Sequence, residues 1–262
     1  MNQSQPIPYE PRVVAFIDIL GFGTLVGKLR PDPQLHRKLF RALSEIKIYK
    51  KLAGDPKTAQ KEIEVSVFSD SIVISATPEN QYSVIWSALG LQSRLLSLGI
   101  LCRGGIAKGF TYHKDDMLYG EGMLQAYHLE SKTAIYPRIV ISPDILPDVS
   151  PYEKAAFLSQ DVDGLWHTDP FAIGILPGNS EALLEDGWDP HMVFLESFAK
   201  VIDREIAEAK EVAHQSKWQW MKSKFEEAFD YQKKHRAPRM WHLRELIAKK
   251  MKEAPKQSED KN

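Results

Sequence analysis

The stretch Arg12 to Gly23, RVVAFIDILGFG, constrains this chain more than any other. Val13, Val14, Ala15, Phe16 and Ile17 read as a buried strand, interrupted once by the carboxylate of Asp18. A buried strand tolerates such a charge only when it is paired or binds a metal. Behind it, Gly21-Phe22-Gly23 forms a turn that can aim backbone N–H groups at an anion and leads toward a helix. Asp18 therefore reads as one half of a metal and phosphate site. The other half must be a second carboxylate delivered by the fold, and Asp70 is the candidate.

The rest of the chain supplies that fold. From Asp32-Pro33, the residues Leu35, Leu39, Leu43, Ile46 and Leu52 follow a helical period that stops at Gly54-Asp55-Pro56. Glu62 to Phe68 alternates and is rich in β-branched residues, so it reads as a strand. Ser69-Asp70 makes a tight turn, and Ser71 to Ala76 returns as the hairpin partner. Thr77-Pro78-Glu79 starts a helix, with a capping hydroxyl, a proline at the first position and an acid in the first turn. It runs to about Leu98 and stops at Gly99. Ile100 to Tyr112 is a long strand carrying CRGGIAKG.

This order predicts an α+β fold: a ferredoxin-like βαββαβ core, an antiparallel sheet with helices on one face. In that topology the first and third strands are antiparallel neighbours at the sheet centre, so Asp18 and Asp70 meet at one edge. Further on, residues 117–133 read as a short strand, a Gly turn and a helix, and Arg138 to Ser142 as a strand. Ala156–Gln160 and Leu165–Phe171 bracket a hairpin at Asp163-Gly164. Gly178 to Asp186 reads as a short helix or loop. From about His191 the chain turns helical: one segment to Gln215, a second to roughly Lys234, a third from Pro238 to Lys252. The expected division is a lead-in over 1–11, a main domain over 12–175, a helical C-terminal extension over 176–252 and a disordered tail over 253–262. There is no internal repeat.

Composition narrows the class. A formal net charge of -1 gives no bulk reason for nucleic-acid binding. The single cysteine, Cys102, rules out an intrachain disulfide and fits a reducing cytosol. No apolar run approaches the roughly 18 residues of a spanning helix, and the N-terminus lacks a signal-peptide pattern. The expectation is a cytoplasmic protein with no membrane contact.

Two carboxylates beside a glycine turn suit two-metal phosphoryl chemistry, in which hard cations such as Mg²⁺ or Mn²⁺ take oxygen ligands. Arg103 is placed to meet a phosphate tail with its guanidinium fork. Each feature has an ordinary reading as well. An aspartate at a strand end is commonly a turn former, a lone Gly-x-Gly is weak, and an arginine beside Gly104 and Gly105 also suits a surface ion pair. Their combination in order favours a site. His113 and His167 read as ordinary core or surface residues, and the tryptophans of the C-terminal helices as packing.

FIDILGFG, FSDSIVIS, CRGGIAKG and YGEGMLQAYHLE, in that order over about residues 12–142, resemble the class III nucleotidyl cyclase catalytic domain. The resemblance implies that Asp18 and Asp70 bind two metal ions (Mn²⁺ or Mg²⁺), with the Ile19 carbonyl as a further ligand. It also implies that Gly21, Phe22 and Gly23 cradle a triphosphate and that Arg103 matches the phosphate-binding arginine. A head-to-tail homodimer with sites at the interface is implied too.

The departures carry information. The base-reading lysine of the purine cyclases is Ser66 here, and the transition-state Asn and Arg fall near Leu124 and His128. Lys108 is one cation that could meet the resulting charge. The second metal aspartate follows Ser69 rather than Gly. This set is similar to the pyrimidine cyclases of the bacterial Pycsar anti-phage system, which make cyclic UMP or cyclic CMP to activate a separate effector. That similarity favours UTP as substrate, with CTP the alternative. Tyr49, near the end of the first long helix, is the candidate base contact, and a half-buried helix aromatic explains it equally well. A degenerate domain that binds nucleotide or a partner without chemistry, and a purine cyclase, are the rival expectations.

Overall fold

Strand β1 (Glu10–Ile19) lies between β3 (Ser71–Ala76) and β4 (Cys102–Lys114), antiparallel to both. The computed structural model describes residues 8–53, 63–114, 117–171 and 190–231. These fall in two compact units, Met1–Lys222 and Ser223–Asn262. In the first unit, β2 (Glu64–Phe68) pairs with β3, giving the strand order β2-β3-β1-β4. The sheet continues through β6 (Ile139–Ile141), β8 (Trp166–Thr168) and β7 (Leu158–Gln160), and β5 (Met117–Gly120) is added to β4. The helices between the first four strands are α1 (Phe22–Leu29), α2 (Pro33–Ala53) and α3 (Gln81–Ser97). This is the α+β, βαββαβ arrangement expected from the pattern.

Alternation along β1 separates two apolar layers. Val13, Ala15, Ile17 and Ile19 pack with Leu39 of α2 and Val84, Ile85, Ala88, Leu91 and Leu95 of α3. The helices of the βαββαβ unit thus share one face, as expected. Val14 and Phe16 point the other way, against α4 (Glu121–His128) through Ala126 and Met123. The second face is therefore covered as well, in part, by a helix outside the βαββαβ repeat. Both faces of β1 being buried is why Val13 to Ile17 read as a continuous apolar run.

Several local expectations change. The Gly-Phe-Gly turn opens a distinct helix, α1, rather than a mere approach to one. α3 is preceded by a tight turn of 3₁₀ helix at Pro78–Asn80, and the Thr77 hydroxyl accepts from Asn80 Nδ2 at 3.3 Å instead of capping the backbone. α3 ends as predicted at Gly99, whose φ of 77° allows the paired bonds Gly99 N–H to Leu96 O (2.9 Å) and Ile100 N–H to Leu95 O (3.0 Å). Ala156 and Phe157 belong to a short helix, α5 (Pro151–Phe157), not to the hairpin. Ser150 and Glu153 form its capping box, a signature the sequence displays.

The first C-terminal helix, α6 (Pro190–Glu208), stops short of Gln215, and no glycine or proline announces the break at residues 209–211. Its Leu195, Phe198 and Ile202 are buried, with Phe198 edge-on to Phe171. Residues 212–222 are helical in the first unit. In the second, residues 223–231 are helical, with Lys224 paired to Glu227 and Phe225 near Phe229. The expected elements at 178–186 and 238–252, and the tail, lie outside the described residues. Among the described residues no helix is long and apolar enough to cross a membrane.

Candidate functional site

Asp18 is the penultimate residue of β1, opposite Ser71 at the start of β3 and Arg103 at the start of β4. Asp70 occupies the two-residue turn just before Ser71, and its carbonyl accepts from Ile19 N–H at 3.0 Å. The topology thus brings the two predicted acids to one end of adjacent strands. Their fields interact: burial, then Glu130, then Asp70 push the Asp18 carboxyl up to about 6, against the pull of Arg103. The preceding residue, Ser69, takes a left-handed conformation (φ 56°) that glycine would adopt without strain.

Glu130 is the member of this group that sequence reasoning missed. It lies in a π-helical turn, Leu129–Thr133, that continues α4, and it is buried. Its Oε1 accepts from Arg103 Nε at 2.5 Å, with the glutamate side chain 4% exposed and the arginine 30%. Gly105 makes this approach feasible. A Cβ there would stand 2.4 Å from the Ala126 carbonyl oxygen and 2.4 Å from the Leu129 Cβ. Gly105 admits the molecule's own helix, and Gly104 the backbone of Phe16. A π turn inside a helix often marks a functional site, but nothing in the bare spelling HLESKT announces one.

Past β1, Gly21 (φ 71°) is the N-cap of α1, and its carbonyl accepts from Leu25 N–H at 3.0 Å. The first N–H groups of the helix, on Gly21, Phe22, Gly23 and Thr24, precede any intrahelical partner. No side chain caps this end and no acid occupies its first turn. A Cβ on Gly21 or Gly23 would meet nothing within 4 Å, so the turn faces open space three residues beyond Asp18.

The other predicted residues are placed as follows. Ser66 lies on β2 opposite Val73, on the Asp18 side of the sheet, and its Oγ bonds to His113 Nε2 at 2.9 Å. Tyr49 lies near the C-terminal end of α2. Lys108 is a correction: it pairs in register with Val13, which faces α2 and α3, and its Nζ meets Asp148 at 3.3 Å. The alternation of β4 sends it to the face opposite Asp18, so it cannot serve the same phosphate. Leu124 and His128 are both exposed on α4.

As a donor set, two carboxylates and the carbonyl of Ile19 are all oxygen, which suits a hard divalent cation. Burial first, and then the charges of Glu130 and Asp70 against the single Arg103, raise Asp18. Among the described residues no group of three or more His, Cys, Asp or Glu is arranged to hold a metal.

No protein-family model matches the chain, and no curated protein does. Solved structures that it is similar to are adenylyl and guanylyl cyclases. A bacterial light-regulated adenylyl cyclase is 19% identical with a TM-score of 0.37, over 60% of this chain and 88% of that one. The adenylyl cyclase CyaB from P. aeruginosa is 16% identical (TM-score 0.38; 60% and 93%). The guanylyl cyclase domain of the RhoGC fusion protein from the aquatic fungus Blastocladiella emersonii is 18% identical (TM-score 0.39; 61% and 94%). Likenesses this distant leave the reading of the site to its own residues.

Proposed function

We propose that residues 12–175 form a metal-dependent nucleotidyl cyclase domain that converts UTP to 3′,5′-cyclic UMP and pyrophosphate. The observation that carries this reading is the meeting of Asp18 and Asp70 at one end of β1 and β3, in the open angle before α1. Asp18, Asp70 and the Ile19 carbonyl would hold two Mg²⁺ or Mn²⁺ ions. When bound, these ions lower the pKa of the attacking 3′-hydroxyl and neutralise triphosphate charge. The N–H groups of Gly21, Phe22 and Gly23 receive the triphosphate at the positive end of α1. Arg103, braced by Glu130 through Nε, offers its terminal N–H groups to the same phosphates. The chain holds the 3′-oxygen in line with the α-phosphorus; the new O–P bond forms as the bond to the departing pyrophosphate breaks and the hydroxyl proton leaves to water, and positioning supplies much of the rate.

The site belongs to a head-to-tail homodimer in the cytoplasm. In keeping with that, Phe68, 83% exposed, lies in register with Asp18 across Ser71, and Leu124 and Tyr127 are exposed on α4 over the same sheet face. The cyclic nucleotide signals infection to a separate effector, with CTP as the alternative substrate. Incubation with each of the four nucleoside triphosphates and Mn²⁺ tests the reaction: cyclic UMP and pyrophosphate are expected, and no cyclic pyrimidine product overturns it. A second reading, nucleotide binding without chemistry, is favoured by an apolar Leu124 and a histidine at 128. Tight binding of a triphosphate with no pyrophosphate release would establish it.

A further inference from the structure

The segment that carries Glu130 is tied to β4 at both ends. At the first, Glu130 accepts from Arg103 Nε at 2.5 Å. At the second, the Arg138 carbonyl accepts from the N–H of Gly104, the residue after Arg103, at 3.0 Å. The Arg138 side chain is fully buried and bonds Asp161 at 2.7 Å and also Asp163. A buried guanidinium with carboxylate partners is costly to displace, so this end is fixed. Between the ends the backbone turns on itself. Ala134 N–H donates to the Leu129 carbonyl at 2.8 Å and Arg138 N–H to the Tyr136 carbonyl at 2.7 Å.

Tyr136 stands in this bend. Its ring is 40% exposed and stacks on Trp220, with centroids 5.3 Å apart and planes 4° from parallel. The Arg138 guanidinium lies over the same tyrosine ring, 5.7 Å from its centroid. Trp220 belongs to the helical residues 212–222, of which Trp218 and Met221 are buried. Its indole also meets the ring of His167, on β8, at 6.0 Å. Aromatic stacking is directional, so the contact sets the orientation of Tyr136 as well as its position. The C-terminal helix thus reaches the segment that holds Glu130.

We infer, on the triphosphate-site reading above, that Trp220 is a positioning residue for Arg103. By stacking on Tyr136 it holds the Glu130–Arg138 segment against β4, and so aims the guanidinium at the phosphates of a bound nucleoside triphosphate. A planar fork recognises phosphate only when its angle is set. The Arg103 side chain is 30% exposed, and the Glu130 contact at Nε sets that angle. Loosening the bend frees Glu130, and Arg103 with it. Trp220 touches no reacting atom and acts through Tyr136, Glu130 and Arg103.

The test combines amide hydrogen exchange of the full chain, without nucleotide, with calorimetric titration of UTP in the presence of Mg²⁺. In Trp220→Ala the amides of Gly104 and Ala134 are expected to exchange about tenfold faster, while that of Ile74 in β3 keeps its rate. UTP binding weakens about tenfold, the order of one charge-assisted hydrogen bond. Trp220→Phe restores most of both, and Gln219→Ala, at the exposed neighbouring position, changes neither. In an Arg103→Lys background, Trp220→Ala weakens UTP binding less than about twofold, because no Nε remains to be aimed. Should Trp220→Ala fail to fold, Tyr136→Ala removes the same stack from its exposed side. Unchanged exchange, unchanged affinity, no rescue by phenylalanine or equal losses in the two backgrounds overturn the inference. If these hold but wild-type protein makes no cyclic product, only the cyclase reading falls; no binding of UTP by wild-type protein overturns both.

Discussion

At Asp18 the burial that makes β1 a strand works against the charge that makes a site. Its carboxyl is raised from 3.8 to about 6 by burial, Glu130 and Asp70. A raised carboxyl disfavours the ionised form in the folded chain, so the metal-free protein loses stability as pH rises from about 4 through about 6. Asp18→Asn removes that loss. In EDTA its melting temperature should equal wild-type near pH 4 and exceed it at pH 8, read by thermal unfolding at both. A variant less stable than wild-type at pH 8 would mean that Asp18 is held by contacts the surrounding charges do not reveal. The residue scale was partly legible in the sequence. Asp18 and Asp70 stand out because charges interrupt or border apolar strands. Glu130 does not, since an acid on a short polar helix resembles any solvated residue until Gly105 is seen to admit its backbone.

At the scale of elements, two helix–sheet contacts decide where the acids lie. The α3 side was readable because its apolar period, its Pro-Glu start and its Gly99 stop agree. The α4 side was not: its eight residues bury little beyond Gly122 and Ala126, and their placement depends on glycines in β4. Gly105→Ala sets a methyl against the Ala126 carbonyl and the Leu129 side chain. It should destabilise the fold by about 1–3 kcal/mol and lower turnover with it, by displacing Glu130 from Arg103. Gly27→Ala, where an added Cβ meets nothing within 4 Å, is the matched control and should leave stability within about 1 kcal/mol of wild-type. Denaturant unfolding of both checks the contrast. The boundary at Glu208 and the helix at 151–157 show the limit of periodicity: the former carries no stop signal, and the latter is only two turns long.

At the scale of the whole molecule, the βαββαβ order fixed which strands neighbour one another before any coordinates. What it left open was the second face of the sheet, where α4 covers β1 and β4 while Phe68 stays exposed at the β2 end. In the proposed homodimer, a second copy covers that surface. Phe68→Glu should halve the mass seen by analytical ultracentrifugation and abolish turnover while the monomer stays folded; a monomeric wild-type protein at micromolar concentration would contradict the shared site. The most direct test of the account is titration of Mn²⁺, followed by its electron paramagnetic resonance signal, into protein with UTP present. The account predicts that wild-type protein removes free Mn²⁺ beyond what UTP alone takes up, and that Asp18→Asn and Asp70→Asn each abolish the excess. Equal Mn²⁺ uptake by wild-type and both variants would contradict it.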